Sequence, residues 1–205
     1  MTGDGDRRRA DTLLERAAAG EAVTSVWVPS RQLAFGRRDR RREGYDRAVT
    51  AARERGFPPT ERRVGGRAVA LDGTTTVALL SGGPRTSASI AERYETALER
   101  LESALASLGV QTERGEPAGA FCPGGCSLSV ADGKVAGLAQ RVTAEATLVG
   151  GVVVVANGEE LAAVLEAVYG HLEVPFDPST LGSVAGAGGP ADPTAVVEAI
   201  ERAFA

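Results

Sequence analysis

Leu128-Ser129-Val130-Ala131-Asp132-Gly133-Lys134-Val135-Ala136-Gly137-Leu138-Ala139-Gln140-Arg141-Val142 holds two apolar-rich segments around an Asp-Gly pair. Asp-Gly between such segments signals a hairpin, because the favoured two-residue turn needs positive φ at both central residues. The expectation is a strand over 128–131, a turn at Asp132-Gly133 and a strand over 134–142, with Lys134 opposite Ala131. Working outward, Asp72-Gly73 between 68–71 and 75–80 predicts another hairpin. The apolar run at 147–156 predicts a buried strand. Further strands are expected at 24–28 and 33–35, split by Pro29-Ser30.

Helices are expected between these segments. The clearest spans 88–108, where Ile90, Tyr94, Leu98, Leu101, Leu105 and Leu108 recur at three- and four-residue spacings and mark one buried face. Others are read at 11–19, 44–55, 159–169 (with Gly170 as C-cap) and 192–204. Residues 81–87 and 121–126 read as loops, and 175–190, rich in Gly, Ser and Pro, as a linker. Hairpins mixed with packed helices give an α+β fold with a mixed, mostly antiparallel sheet. The expected division is a catalytic domain over 1–183 and a linker with a short C-terminal helix over 184–205. Strands do not alternate regularly with helices, Gly65-Gly66 is not a dinucleotide fingerprint, and no Walker-type loop is present.

Composition narrows the chemistry. With 43% hydrophobic residues in 205, the chain can bury a core. The polar first ten residues and the shortness of the longest apolar run predict neither a signal segment nor a membrane span, so a cytoplasmic protein is expected. The single histidine, His171, excludes zinc or iron sites built on several histidines, and is read as a helix-end residue. Two cysteines are not a disulfide framework. The net charge of -4 is mild, but six arginines crowd into 31–42. That cluster suits an acidic partner protein. Nucleic acid is not expected, since no aromatic residues are interleaved with it as a stacking platform.

Of 23 basic side chains, only Lys134 is a lysine. Guanidinium stays charged whereas an amine can share or release a proton, so the exception is either a chance survivor at a turn or a functional amine. Cys122 is either a small buried cysteine or a thiol nucleophile, and Pro123-Gly124-Gly125 lets the backbone turn tightly beside it. Cys126 is open to a redox role. Without a second cysteine pair, no metal site is expected. Arg62-Arg63-Val64-Gly65-Gly66-Arg67 reads as a simple turn with solvated arginines or as a cradle for a carboxylate, a phosphate or an acyl group's polar head.

Three segments together resemble the biotin/lipoate ligase and lipoyl/octanoyl transferase superfamily, over about residues 11–183. Gly36-Arg37-Arg38-Asp39 is similar to the family's early glycine–arginine strand end. The stretch from Arg62 to Val69 resembles its acyl-binding arginine–glycine loop. The stretch from Gly133 to Arg141 resembles the signature around its catalytic lysine, the most specific match of the three. Cys122-Pro123-Gly124 followed by Leu128-Ser129, with Ala70-Leu71-Asp72, resembles the octanoyl-[glycine cleavage H protein]:protein N-octanoyltransferase branch, with lipoate–protein ligase A as a further relative. That branch usually has tyrosine and aspartate where this chain has Cys126 and Ser127.

The resemblance implies a catalytic domain of the biotin/lipoyl protein ligase type. It implies an acyltransferase that carries an octanoyl or lipoyl group as a thioester on Cys122, with Lys134 positioning the donor carbonyl and shuttling protons. Arg63, Gly65, Gly66, Arg67 and Gly137 would bind the substrate. The implied partners are apo lipoyl domains of 2-oxoacid dehydrogenase complexes and the glycine cleavage H protein, with no cofactor. The alternative is an ATP-dependent ligase, using ATP and Mg and forming an acyl-adenylate. No accessory domain of the ligase type is visible, so a ligase would need a partner subunit or a variant mechanism. A non-catalytic subunit that binds acyl groups or lipoyl domains is a third reading. One geometric condition attaches to the first. Cys122 lies nine residues before Ala131, ~30 Å if extended at about 3.3 Å per residue, so its loop must fold back over the sheet to meet Lys134.

Overall fold

A computed structural model describes residues 3–131, 133–156 and 158–205. Two sheets organise them. The larger has six strands, β1 (Val23–Trp27), β5 (Thr76–Pro84), β9 (Ala146–Val154), β8 (Gly133–Val142), β7 (Ser127–Val130) and β6 (Glu113–Arg114), in that spatial order and antiparallel throughout. The smaller has three, with β2 (Gln32–Phe35) between β3 (Pro59–Glu61), parallel to it, and β4 (Val69–Leu71), antiparallel to it. Helices α1 (Gly3–Ala18), α2 (Tyr45–Glu54), α3 (Ile90–Ser107), α4 (Gly158–Leu172) and α5 (Pro193–Phe204) cover the sheets. The fold is α+β with a mostly antiparallel sheet, as the patterning predicts.

The core has three parts. On one side of the large sheet, Leu98, Leu101 and Leu105 of α3 pack with Val77, Leu79, Val149 and Val153, and with Ile200 and Phe204 of α5. The small sheet, α2 and α4 enclose a second cluster around Phe35, Phe57, Leu165 and Tyr169. Helix α1 closes a third over Leu80 and Leu148. Among the described residues, no helix is long and apolar enough to cross a membrane.

Several local expectations change. Helix α1 begins at Gly3 and ends at Ala18, eight residues earlier at its start than expected. The segments flanking Asp72-Gly73 do not form a hairpin, because β4 joins the small sheet and β5 the large one. The N–H groups of Thr75 and Thr76 both return to the Asp72 carbonyl, while the Asp72 carboxylate caps Thr74, so the chain turns out of one sheet into the other. Strand β5 also runs through the expected loop to Pro84, pairing with β9 along nine residues. In the second hairpin Gly133 pairs with Val130 and Lys134 with Ser129, so Gly133 belongs to β8 and the chain reverses before it. Asp132 itself lies outside the described residues. Helix α4 continues past Gly170 to Leu172, because Leu172 is buried, and Glu173 ends it at φ 52°.

The stretch 175–190 is packed rather than linker-like. Val184 is fully buried, and its N–H donates to the Val154 carbonyl. Leu181 bridges to Lys134 in parallel, and Gly182 N–H donates to the Lys134 carbonyl. A Cβ on Gly182 would lie 2.6 Å from the Gly133 carbonyl oxygen, so two glycines meet beside the start of β8.

Candidate active site

Three loops converge over the start of β8. The first is the arginine–glycine loop between β3 and β4, and the second is the 121–126 loop between β6 and β7. The third is the segment after β6 that carries Glu116. Lys134 is 1% exposed, a position an ammonium tolerates only when its hydrogens are satisfied. Its Nζ donates to Glu116 Oε2 at 2.7 Å, to the Phe121 carbonyl at 2.9 Å and to the Cys122 carbonyl at 3.0 Å. The ammonium also sits 4.9 Å from the centre of the Phe121 ring. The 121–126 loop therefore folds back over the sheet and meets Lys134 through its backbone carbonyls, while the Cys122 sulfur is bonded by other groups.

A β-bulge aims the lysine. Leu128 pairs with Ala136 and Ser129 with Lys134, which leaves Val135 as the extra residue of β8. Strict alternation would put Lys134 on the face of Ala136; the extra residue moves it to the face of Gly137. A Cβ on Gly137 would lie 2.9 Å from Lys134 Cε. Gly137, expected to bind substrate, is thus the floor on which the lysine side chain rests.

Cys122 has φ 44°, a left-handed conformation that costs a non-glycine residue free energy and must be held by its surroundings. Tyr169 supplies one hold. Its hydroxyl accepts from Cys122 N–H at 2.7 Å and donates to the Ala68 carbonyl at 2.8 Å, tying the 121–126 loop to the residue that precedes β4. Burial pushes the Tyr169 phenol well above its ordinary range, and negative charge on Cys122 would push it further, so it remains a donor. Cys122 Sγ receives two hydrogen bonds, from Arg67 N–H at 3.2 Å and Arg62 Nη1 at 3.1 Å. Gly66, at φ +98°, allows this approach, since a Cβ there would lie 2.7 Å from the sulfur.

The remaining expected residues surround the same place. Gly65 N–H donates to the Gln140 carbonyl at 3.2 Å, anchoring the glycine loop to β8. Arg63 pairs with Asp11 at 2.6 Å, and the Arg67 guanidinium pairs with buried Asp39 at 3.1 Å. Cys122, Gly65, Gly66 and Arg63 line a cleft of about 630 Å³. Its described lining includes five arginines, Arg37, Arg38, Arg62, Arg63 and Arg141, and no carboxylate. Arg62, Arg63 and Val64 also line an adjoining, mostly apolar cavity of about 90 Å³ that reaches Trp27, Leu80 and Gly150. Cys126 lines the cleft too. Burial raises its thiol above the ordinary range, and the Glu116 charge adds to the shift. Among the described residues, no three His, Cys, Asp or Glu side chains gather as a metal ion would require.

Sequence reasoning does not find Glu116 or Tyr169, and it places Arg62 in the loop without its contact to Cys122. Glu116 receives Lys134, Ser127 Oγ at 2.7 Å and Gly124 N–H at 2.7 Å, so one carboxylate joins the lysine to the 121–126 loop. Its approach is a product of tertiary folding, and a lone glutamate in a loop carries no local signal. Arg62, Arg63 and Arg67 are alike in the sequence, and only the folded loop turns Arg62 Nη1 onto the Cys122 sulfur. Tyr169 reads in the sequence only as an apolar helix position.

Comparisons with known proteins identify the family. The chain is 33% identical over 134 residues to an octanoyl-[GcvH]:protein N-octanoyltransferase of Geobacillus kaustophilus (strain HTA426), covering 64% of this chain and 47% of that protein. It is 27% identical over 142 residues to a lipoyl-[GcvH]:protein N-lipoyltransferase of Listeria monocytogenes serovar 1/2a (strain ATCC BAA-679 / EGD-e), covering 68% of this chain and 51% of that protein. The chain thus spans about half the length of the curated relatives it matches. Its fold is similar to that of lipoate-protein ligase A bound with ATP, with a TM-score of 0.76 and 18% identity over 98% of this chain and 80% of that one. It is also similar to Ta0514 of T. acidophilum, a lipoate protein ligase candidate with bound lipoic acid, with a TM-score of 0.70 and 17% identity over 94% and 78% of the two chains. The family model of the lipoyl protein ligase A/B catalytic domain matches residues 8–205, and the chain belongs to that family.

Proposed function

We propose that this chain is an acyltransferase that attaches an octanoyl or lipoyl group to a lysine of lipoyl-domain proteins through a thioester on Cys122. The observation that carries the reading is the placement of Cys122 Sγ. The sulfur lies on the wall of an arginine-lined cleft, under two N–H donors, in a loop whose carbonyls are held by Lys134. Thiolate is the best side-chain nucleophile near neutral pH, and aminolysis of a thioester needs no ATP. The adjoining apolar cavity takes the acyl chain, with Arg63, Gly65 and Gly66 at the passage between the two spaces. Lys134 positions the reacting carbonyl once substrate displaces one of its present acceptors, and Gly137 keeps the room it needs. Residues 1–183 carry this chemistry. Apo lipoyl domains of 2-oxoacid dehydrogenase complexes and the glycine cleavage H protein are the proposed acceptors, in the cytoplasm.

Intact mass after incubation with an octanoylated donor protein tests the reading. The expected result is an octanoyl adduct that hydroxylamine removes and that Cys122→Ser abolishes. Absence of the adduct, with acyl transfer still proceeding, would overturn it. A second reading draws on the five arginines of the cleft, which suit a nucleoside triphosphate and so an ATP-dependent ligase. Transfer that requires ATP with Mg and survives Cys122→Ser would select the ligase.

A further inference from the structure

The sulfur of Cys122 and the amine of Lys134 face different partners. An ammonium has three hydrogens, and those of Lys134 go to Glu116, the Phe121 carbonyl and the Cys122 carbonyl. Its contact with Cys122 is with the backbone, and the sulfur takes its donors from Arg62 Nη1 and Arg67 N–H. Arg62 Nη1 is itself held by the Arg67 carbonyl at 2.8 Å, so the guanidinium is fixed against the sulfur. The three arginines of this loop also differ in their counter-charges. Arg63 is paired with Asp11 and Arg67 with Asp39. Among the described residues, no carboxylate pairs with Arg62. Its charge faces a sulfur atom in a cleft whose described lining has no acid.

We infer that Arg62, assisted by the Arg67 N–H, holds Cys122 as a thiolate, and that Lys134 does not. The S–H bond breaks with its electron pair left on sulfur, the proton passes to solvent across the open cleft, and the guanidinium keeps all its protons throughout. Arg62 is then a catalytic residue that contacts the reacting atom, and Lys134 is left to act on the carbonyl. The catalytic meaning rests on the proposed thioester, but the ion pair itself does not.

The test therefore uses no acyl donor. The rate of Cys122 alkylation by iodoacetamide is followed across pH in a Cys126→Ser background, for the parent and for Arg62→Gln, Arg62→Lys and Lys134→Met. Arg62→Gln is expected to slow alkylation about tenfold at pH 7, and the difference should vanish at alkaline pH, where any thiol is ionised. Arg62→Lys should recover most of the rate, because the charge remains. Lys134→Met should change the height of the profile through loop position and leave its place on the pH axis alone. The inference is overturned if Arg62→Gln lowers the rate equally at every pH or not at all, or if Lys134→Met is the variant that moves the profile. These outcomes hold whether or not an acyl adduct forms, so failure of the inference and failure of the transferase reading remain distinguishable.

Discussion

The carboxylate of Glu116 accepts from three groups that no sequence motif ties together: the Lys134 ammonium, the Ser127 hydroxyl and the Gly124 N–H. Ser127 stands where the resembling branch usually has an aspartate. Here Ser127 acts as a donor to Glu116, and Glu116 supplies the negative charge facing the lysine. Glu116→Gln keeps the shape and removes that charge, leaving a buried ammonium without an anion. The expected result is a fall in kcat for acyl transfer of about tenfold to a hundredfold, the equivalent of losing a charge-assisted hydrogen bond. Steady-state kinetics check it, with Glu116→Asp expected to recover part of the loss. An unchanged kcat in Glu116→Gln would remove Glu116 from the site. At this scale Cys122 and Lys134 are legible because their residue types are rare in the chain and chemically distinct. Glu116 is one of 27 acids, and only its ion pair with buried Lys134 sets it apart.

Helix α3 shows what local sequence decides well. Its apolar spacing places Leu98, Leu101 and Leu105 in the core, and its start is fixed by a capping box. Ser89 Oγ accepts from Glu92 N–H at 3.1 Å, and the Glu92 carboxylate accepts from Ser89 N–H at 2.7 Å. Ser89→Ala removes one half of this exchange and is expected to destabilise the protein by about 1 kcal/mol, read from the urea midpoint at unchanged slope. No change in midpoint would mean that the cap is replaced by solvent. Strands are less decided locally. Strand β5 takes its partners from residues far along the chain, so an Asp-Gly pair before it cannot dictate a hairpin. The one-residue displacement of the second turn has the same origin. The bulge at Val135 sets the register there and brings Lys134 over Gly137.

Across the whole molecule, one ion-pair cluster links the two sheets to α4. Arg31, between β1 and β2, bonds Asp72 at 2.8 Å at the crossing from β4 to β5, and also Glu160 on α4. Burial by itself would raise the Asp72 carboxyl, but hydrogen bonds from the Thr74 hydroxyl and N–H and the Arg31 charge outweigh it and hold the group below its ordinary range. A carboxyl depressed on folding contributes stability that is fully present above its unfolded value, about 3.9, and is lost as pH falls through the lower folded value. The expected outcome is that Asp72→Asn is less stable than the parent at neutral pH and that the gap narrows below about pH 4. Denaturant unfolding at several pH values measures it. A gap that is constant with pH would assign the loss to packing and not to charge.

The sequence by itself determined the fold class, most helix positions, the two residues that carry the proposed chemistry and the glycine loop beside them. Fold class and helices follow from periodicity, which acts over a few positions, whereas the roles of Cys122, Lys134 and the glycine loop are what the family resemblance implies. Tertiary structure alone decided which strands pair, that residues 175–190 are packed beside β8, and which groups face the sulfur and the amine. Cys122 and Lys134 are twelve residues apart along a loop and a hairpin. What each of them touches depends on groups from the loop between β3 and β4, from α4 and from the Glu116 segment, brought there by burial of apolar faces that a linear reading cannot orient.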